Sequence, residues 1–122
     1  MSQWNKGPKT FYANEDLAKD RRVKLLSADP TRVEYADADE GAVGFTLKAA
    51  SSGDEVAIDL TNTGGTFKGT ASEAIAIGAT CYGAADGKVT DTDGGSYTGR
   101  FLALEAATAD GSKLELLPIT AY

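Results

Sequence analysis

"GFTLKAASSGDEVAIDL", Gly44 to Leu60, and "FLALEAATADGSKLELL", Phe101 to Leu117, are two versions of one pattern. With one extra residue at Asp110, Phe45, Leu47, Ala49, Ala50, Gly53, Val56 and Ile58 fall on Leu102, Leu104, Ala106, Ala107, Gly111, Leu114 and Leu116. Each copy runs from an alternating apolar segment through an Ala-Ala pair and a Gly-containing turn into a second alternating segment. Alternation with a period of two is the mark of a half-buried strand. The alanine pairs taken alone suit a helix, but Gly and Thr crowd them and strict alternation follows each. The repeated sentence is therefore a strand, a bend and a strand. A hairpin cannot bury its apolar face by itself. Two related hairpins thus predict an all-β barrel or sandwich that encloses one small core.

The rest of the chain fits that frame. "RRVKLLS" (21–27) puts Val23 and Leu25 on one face, "TRVEYA" (31–36) does so with Val33 and Tyr35, and "ADP" turns between them. "VGFTL" alternates Val43, Phe45 and Leu47, and "EVAIDL" alternates Val56, Ile58 and Leu60. "TNTGGTFKGT" (61–70) reads as a loop or an edge strand, and a short strand follows through Cys81 and Tyr82. "AADGKVT" (84–90) predicts a hairpin, because Asp-Gly accepts the positive φ angles of a tight type I′ turn. "DTDGGSYTG" is a turn into a long strand over 97–106, and "KLELLP" is its partner. These features assign residues 21–122 to one β-domain.

Residues 1–20 read as an extended arm. Gly7-Pro8 interrupts them, and Trp4, Phe11 and Tyr12 follow no period. A short helical turn over 14–20 is compatible with Asn14 as its cap and Glu15 and Asp16 in its first turn. The aromatic residues either fold back on their own domain or anchor on a neighbour. The candidate partner- or subunit-binding set is Trp4, Lys6, Lys9, Phe11, Tyr12, Arg21 and Arg22, with a solvated strand face as the plain alternative for Arg21, Arg22 and Lys24.

Charge is divided along the chain. Residues 1–32 hold seven basic and four acidic side chains, for +3, and residues 33–122 hold five and fourteen, for −9. An acidic body lacks the clustered Lys and Arg that bind phosphates, so no nucleic-acid partner is expected. Of the residues that make the chain 42% hydrophobic, 20 are alanine, while Leu, Ile, Val and Phe number 23. So thin a core predicts a domain that draws part of its stability from subunit contacts or from docking. The start "MSQWNKGPKT" lacks the apolar region of a signal peptide, and no apolar run approaches the ~18 residues of a membrane span. The expectation is a soluble protein made in a cytoplasm, with no membrane partner.

Catalytic patterns are sparse. The chain has no histidine and one cysteine, Cys81, so Ser-His and Cys-His nucleophiles and intrachain disulfides are out of reach and zinc ligation is not expected. No Ser-x-x-Lys occurs, and "GGTFKGT" misses the spacing of a phosphate loop. "DADE" (37–40) and "DTDGG" (91–95) offer oxygen ligands for calcium, yet neither completes a calcium loop, and Asp and Gly form turns without metal. No enzyme, cofactor or metal is expected.

"GFTLKAASSGDEVAIDL", "AIAIGATCYGAADGKVT" and "GRFLALEAATADGSKLELLP", in that order, resemble the capsid decoration (cement) proteins of tailed bacteriophages over roughly residues 21–118. The resemblance implies a β-rich structural protein on the outside of an assembled head, bridging neighbouring capsomers without catalysis. It implies the major capsid protein as partner and self-association around a symmetry axis, with a trimer favoured. The arm lies outside the matched stretch. The alternative is a carbohydrate- or cell-surface-binding β-module using Trp4, Tyr82 and Tyr97 as stacking platforms.

Overall fold

The computed structural model describes residues 8–38, 40–61, 65–92 and 100–119. Within them the chain is all-β, apart from a 3-10 turn at Ala85–Gly87. The first five strands are β1 (Lys9–Ala13), β2 (Arg22–Leu26), β3 (Asp29–Tyr35), β4 (Gly44–Thr46) and β5 (Glu55–Leu60). They form a closed barrel in the order β1-β3-β2-β4-β5, sealed where β1 runs antiparallel to β5 and parallel to β3. The next five are β6 (Phe67–Thr70), β7 (Thr80–Gly83), β8 (Val89–Thr90), β9 (Arg100–Ala103) and β10 (Lys113–Ile119). These make a sheet in the order β6-β10-β9-β7-β8. A parallel bridge between Ala71 and Val89 joins its two edges, in the place where Ala13 faces Val33 in the barrel.

The duplication is therefore wider than the hairpins that announce it. Leu17 bridges Ala50 through two backbone hydrogen bonds, and Ile75 bridges Ala107 in the same way. The Gly53 and Gly111 amides donate to Ala13 and Ala71, both 58 residues apart, and Asp20 and Gly78 donate to Thr46 and Ala103. Backbone angles repeat too: φ is +89° at Gly53 and +90° at Gly111, and +60° at Asp20 and +86° at Gly78. Only weak sequence likeness accompanies this agreement in β1–β3, because backbone bonding constrains conformation and not side chains.

The two turn glycines give a direct test of equivalence. A Cβ at Gly53 or Gly111 meets nothing within 4 Å, so alanine is strained there only through its backbone. Gly53→Ala and Gly111→Ala should each cost about 1–2 kcal/mol, read as similar shifts of a urea midpoint. A large loss at one and none at the other contradicts equivalent roles.

Several expectations change with the architecture. The two hairpins do not close on one core: β4–β5 belongs to the barrel and β9–β10 to the second sheet, and each unit has its own apolar cluster. Residues 9–13, read as arm, are the strand that closes the barrel, since alternation in "KTFYA" turns Phe11 and Ala13 inward. Residues 14–20 form no helix; bends carry Leu17 to its bridge with Ala50. The long strand expected over 97–106 is described from Arg100 and ends at Ala103, with bends at 104–105 where the expectation continued it; residues 93–99 lie outside the described residues. The Asp-Gly hairpin is as expected, with φ of +57° at Asp86 and +70° at Gly87 between β7 and β8.

Phe45 joins the units. On the outer side of β4, it is 2% exposed and belongs to the apolar cluster of the second sheet. Its ring stacks on Phe67 at 5.2 Å and meets Phe101 edge-on at 5.4 Å. The space it fills is left by Gly69, which stands opposite Leu114 as Phe11 stands opposite Val56 in the barrel. A Cβ on Gly69 would lie 3.4 Å from the Phe45 ring and 2.5 Å from Leu116 Cδ1.

Candidate functional site

The seven residues singled out from the sequence separate into three groups. Trp4 and Lys6 lie outside the described residues. Lys9, Tyr12 and Arg21 reach the surface to differing degrees. Phe11 and Arg22 are buried.

Phe11 is 8% exposed inside the barrel, packed among Leu17, Val23 and Ile58. It fills the first unit and offers no anchor to a partner. Tyr12, its neighbour, points the other way and is 45% exposed, with Arg32 of β3 and Glu55 of β5 as its strand partners. Lys9 is exposed where β1 begins.

Arg22 is 1% exposed, although it opens β2 in the sequence "RRVKLL". Its Nε donates to the Lys88 carbonyl at 3.1 Å and Nη1 to Glu40 at 3.1 Å. Nη2 donates to Ala36 at 2.9 Å, Asp37 at 3.1 Å and Ala84 at 3.1 Å. The fork thus ties loops of both units. Burial pushes the guanidinium down to about 10, while Asp37 and Glu40 hold it up, so it stays charged at neutral pH. Neither a solvated face nor a partner contact describes this residue.

Arg21 is half-buried, with Nη1 donating to the Asp86 carbonyl at 3.0 Å and its guanidinium 5.7 Å from the Tyr35 ring centre. Lys24 bridges Glu34 and Glu40. Most of the basic cluster 21–24 is therefore engaged within the chain. Lys9 and Lys19 are exposed basic groups near the start, and along β1 Lys9 falls on the face of Phe11, opposite that of Tyr12.

Alternation alone did not expose the apolar surface of the second unit. Ile77 is 68% exposed at a turn, and Leu117 is 37% exposed on β10. The doublet Leu116-Leu117 carried the signal: on a strand, neighbours point to opposite faces, so one leucine of the pair must look outward. Tyr82, a candidate sugar platform, carries the Arg100 guanidinium over its ring at 5.5 Å. Tyr97 and Trp4 lie outside the described residues.

Between the units a cavity of about 160 Å³ is lined by Arg22, Thr61, Phe101 and Ile119, among others. That is well below the ~300 Å³ at which small-molecule pockets begin. Among the described residues no three of His, Cys, Asp and Glu are placed to hold a metal ion. Asp39 and 93–95, parts of the two acidic stretches, are outside the described residues.

One acidic pair is informative about pH. A hydrogen bond to Asp91 raises the Glu73 carboxyl above its ordinary range. A carboxyl with a raised folded-state pKa lends stability below its unfolded value and loses it as pH rises through the folded one. Glu73→Gln can keep the bond at every pH. It should raise the melting temperature at pH 7 and leave it unchanged well below the ordinary glutamate range; an equal shift at both pH values contradicts the raised Glu73 carboxyl.

The described residues thus define a duplicated five-stranded β-unit. The sequence signature of the phage cement proteins matches residues 4–117, across both units, and the chain belongs to that family, a structural protein associated with the phage capsid. No curated protein matches the chain. Its fold is similar to that of the head fiber gp8.5 N base in bacteriophage phi29, with a TM-score of 0.76 over 92% of each chain at 17% sequence identity.

Proposed function

We propose that this protein binds the outside of an assembled phage head, bridges neighbouring capsomers and stabilises the shell without catalysing a reaction. The observation that carries the reading is the family match over residues 4–117, which takes in both units and their junction. The partner is the major capsid protein, and copies of the chain associate around a symmetry axis, with a trimer favoured. The protein is made in the host cytoplasm and ends on the outer surface of the virion.

The contact with the shell uses Lys9 and Tyr12, together with Trp4 and Lys6 before them. Barrel closure supports this choice, because β1 is held on both sides and presents Tyr12 from a rigid strand. Trp and Tyr are among the residue types enriched in binding hot spots. The acidic remainder of the chain favours solubility on a crowded particle.

The test mixes purified heads lacking this protein with the pure chain and sediments them. Saturation at a fixed ratio to the shell subunit, with added resistance of the heads to heating, supports the reading. Protein left at the top of the gradient at every concentration ends it. A truncation must stop before β1, since deleting 1–20 would also remove the strand that closes the barrel. Deletion of residues 1–7, or Tyr12→Ala, should weaken binding about tenfold or more while the far-ultraviolet spectrum stays that of the intact protein. Unchanged occupancy by both variants removes this edge from the contact.

A further inference from the structure

We draw no further inference here: the strongest candidate, the apolar pair Leu102 and Leu117 on the outer face of the second sheet, carries nothing because nothing in the structure shows what covers it.

Discussion

Arg22→Leu should lower the stability of the protein by about 3–5 kcal/mol, because several backbone carbonyls lose their donor at once. The arginine gathers the carbonyls of Ala36, Asp37 and Glu40 in the first unit and of Ala84 and Lys88 in the second. Leucine fills part of the volume but leaves these buried acceptors short of a donor, at roughly 1–3 kcal/mol for each that finds no water. Arg22→Lys should recover only part of the loss, because a single ammonium cannot span the geometry of a planar fork. Arg21→Ala, at a half-exposed site with one carbonyl partner, should cost under ~1 kcal/mol. Urea unfolding of the three variants decides the matter; a wild-type midpoint for Arg22→Leu contradicts the assignment. Gly83 offers an independent check. A Cβ there would lie 2.6 Å from Arg22 Nη2, a group that its carbonyls hold in place, so Gly83→Ala should cost about 1–3 kcal/mol.

Phe45→Ala should cost about 3–5 kcal/mol and act mainly on a unit other than the one that carries it. The ring sits on a barrel strand, yet its contacts are Phe67 and Phe101. Truncation opens a cavity in the second sheet, whose edges meet at the Ala71–Val89 bridge and which is less constrained than the closed barrel. Hydrogen exchange should therefore quicken at amides of β7, β9 and β10 while β1–β3 of the barrel stay protected. Phe45→Leu, which keeps most of the volume, should cost under ~1.5 kcal/mol. Uniform loss of protection across both units would mean that they unfold as one and that Phe45 is not the coupling residue.

Local features of the fold were legible because their causes are local. Alternation in "EVAIDL" and "KLELLP" requires strands whatever surrounds them, and Asp86-Gly87 accepts positive φ without help from afar. The glycines at 53 and 111 announce the same turn twice. By contrast, β1 read as an arm because "KTFYA" is short, and its meaning lies in partners distant along the chain: Val33 in parallel and Val56 in antiparallel pairing. The equivalence of β1–β3 with β6–β8 was hidden for a related reason. Backbone bonds repeat there, and a backbone bond asks little of the side chain.

The candidate contact residues divide in the same way. That Phe11 and Tyr12 face opposite sides follows from strand geometry once a strand is granted. Which side is inside depends on barrel closure. An arginine in a strand reads as surface, since burial of a charge is costly without partners, and Arg22's partners are carbonyls from two units that only the folded chain brings together. The strands and turns of the two repeated hairpins, and the repetition of those hairpins, were thus determined by the sequence itself, through periodicity and backbone preference. Barrel closure, the passage of Phe45 into the other unit's core and the burial of Arg22 were decided by the tertiary structure, because each depends on groups that meet only when distant segments pack.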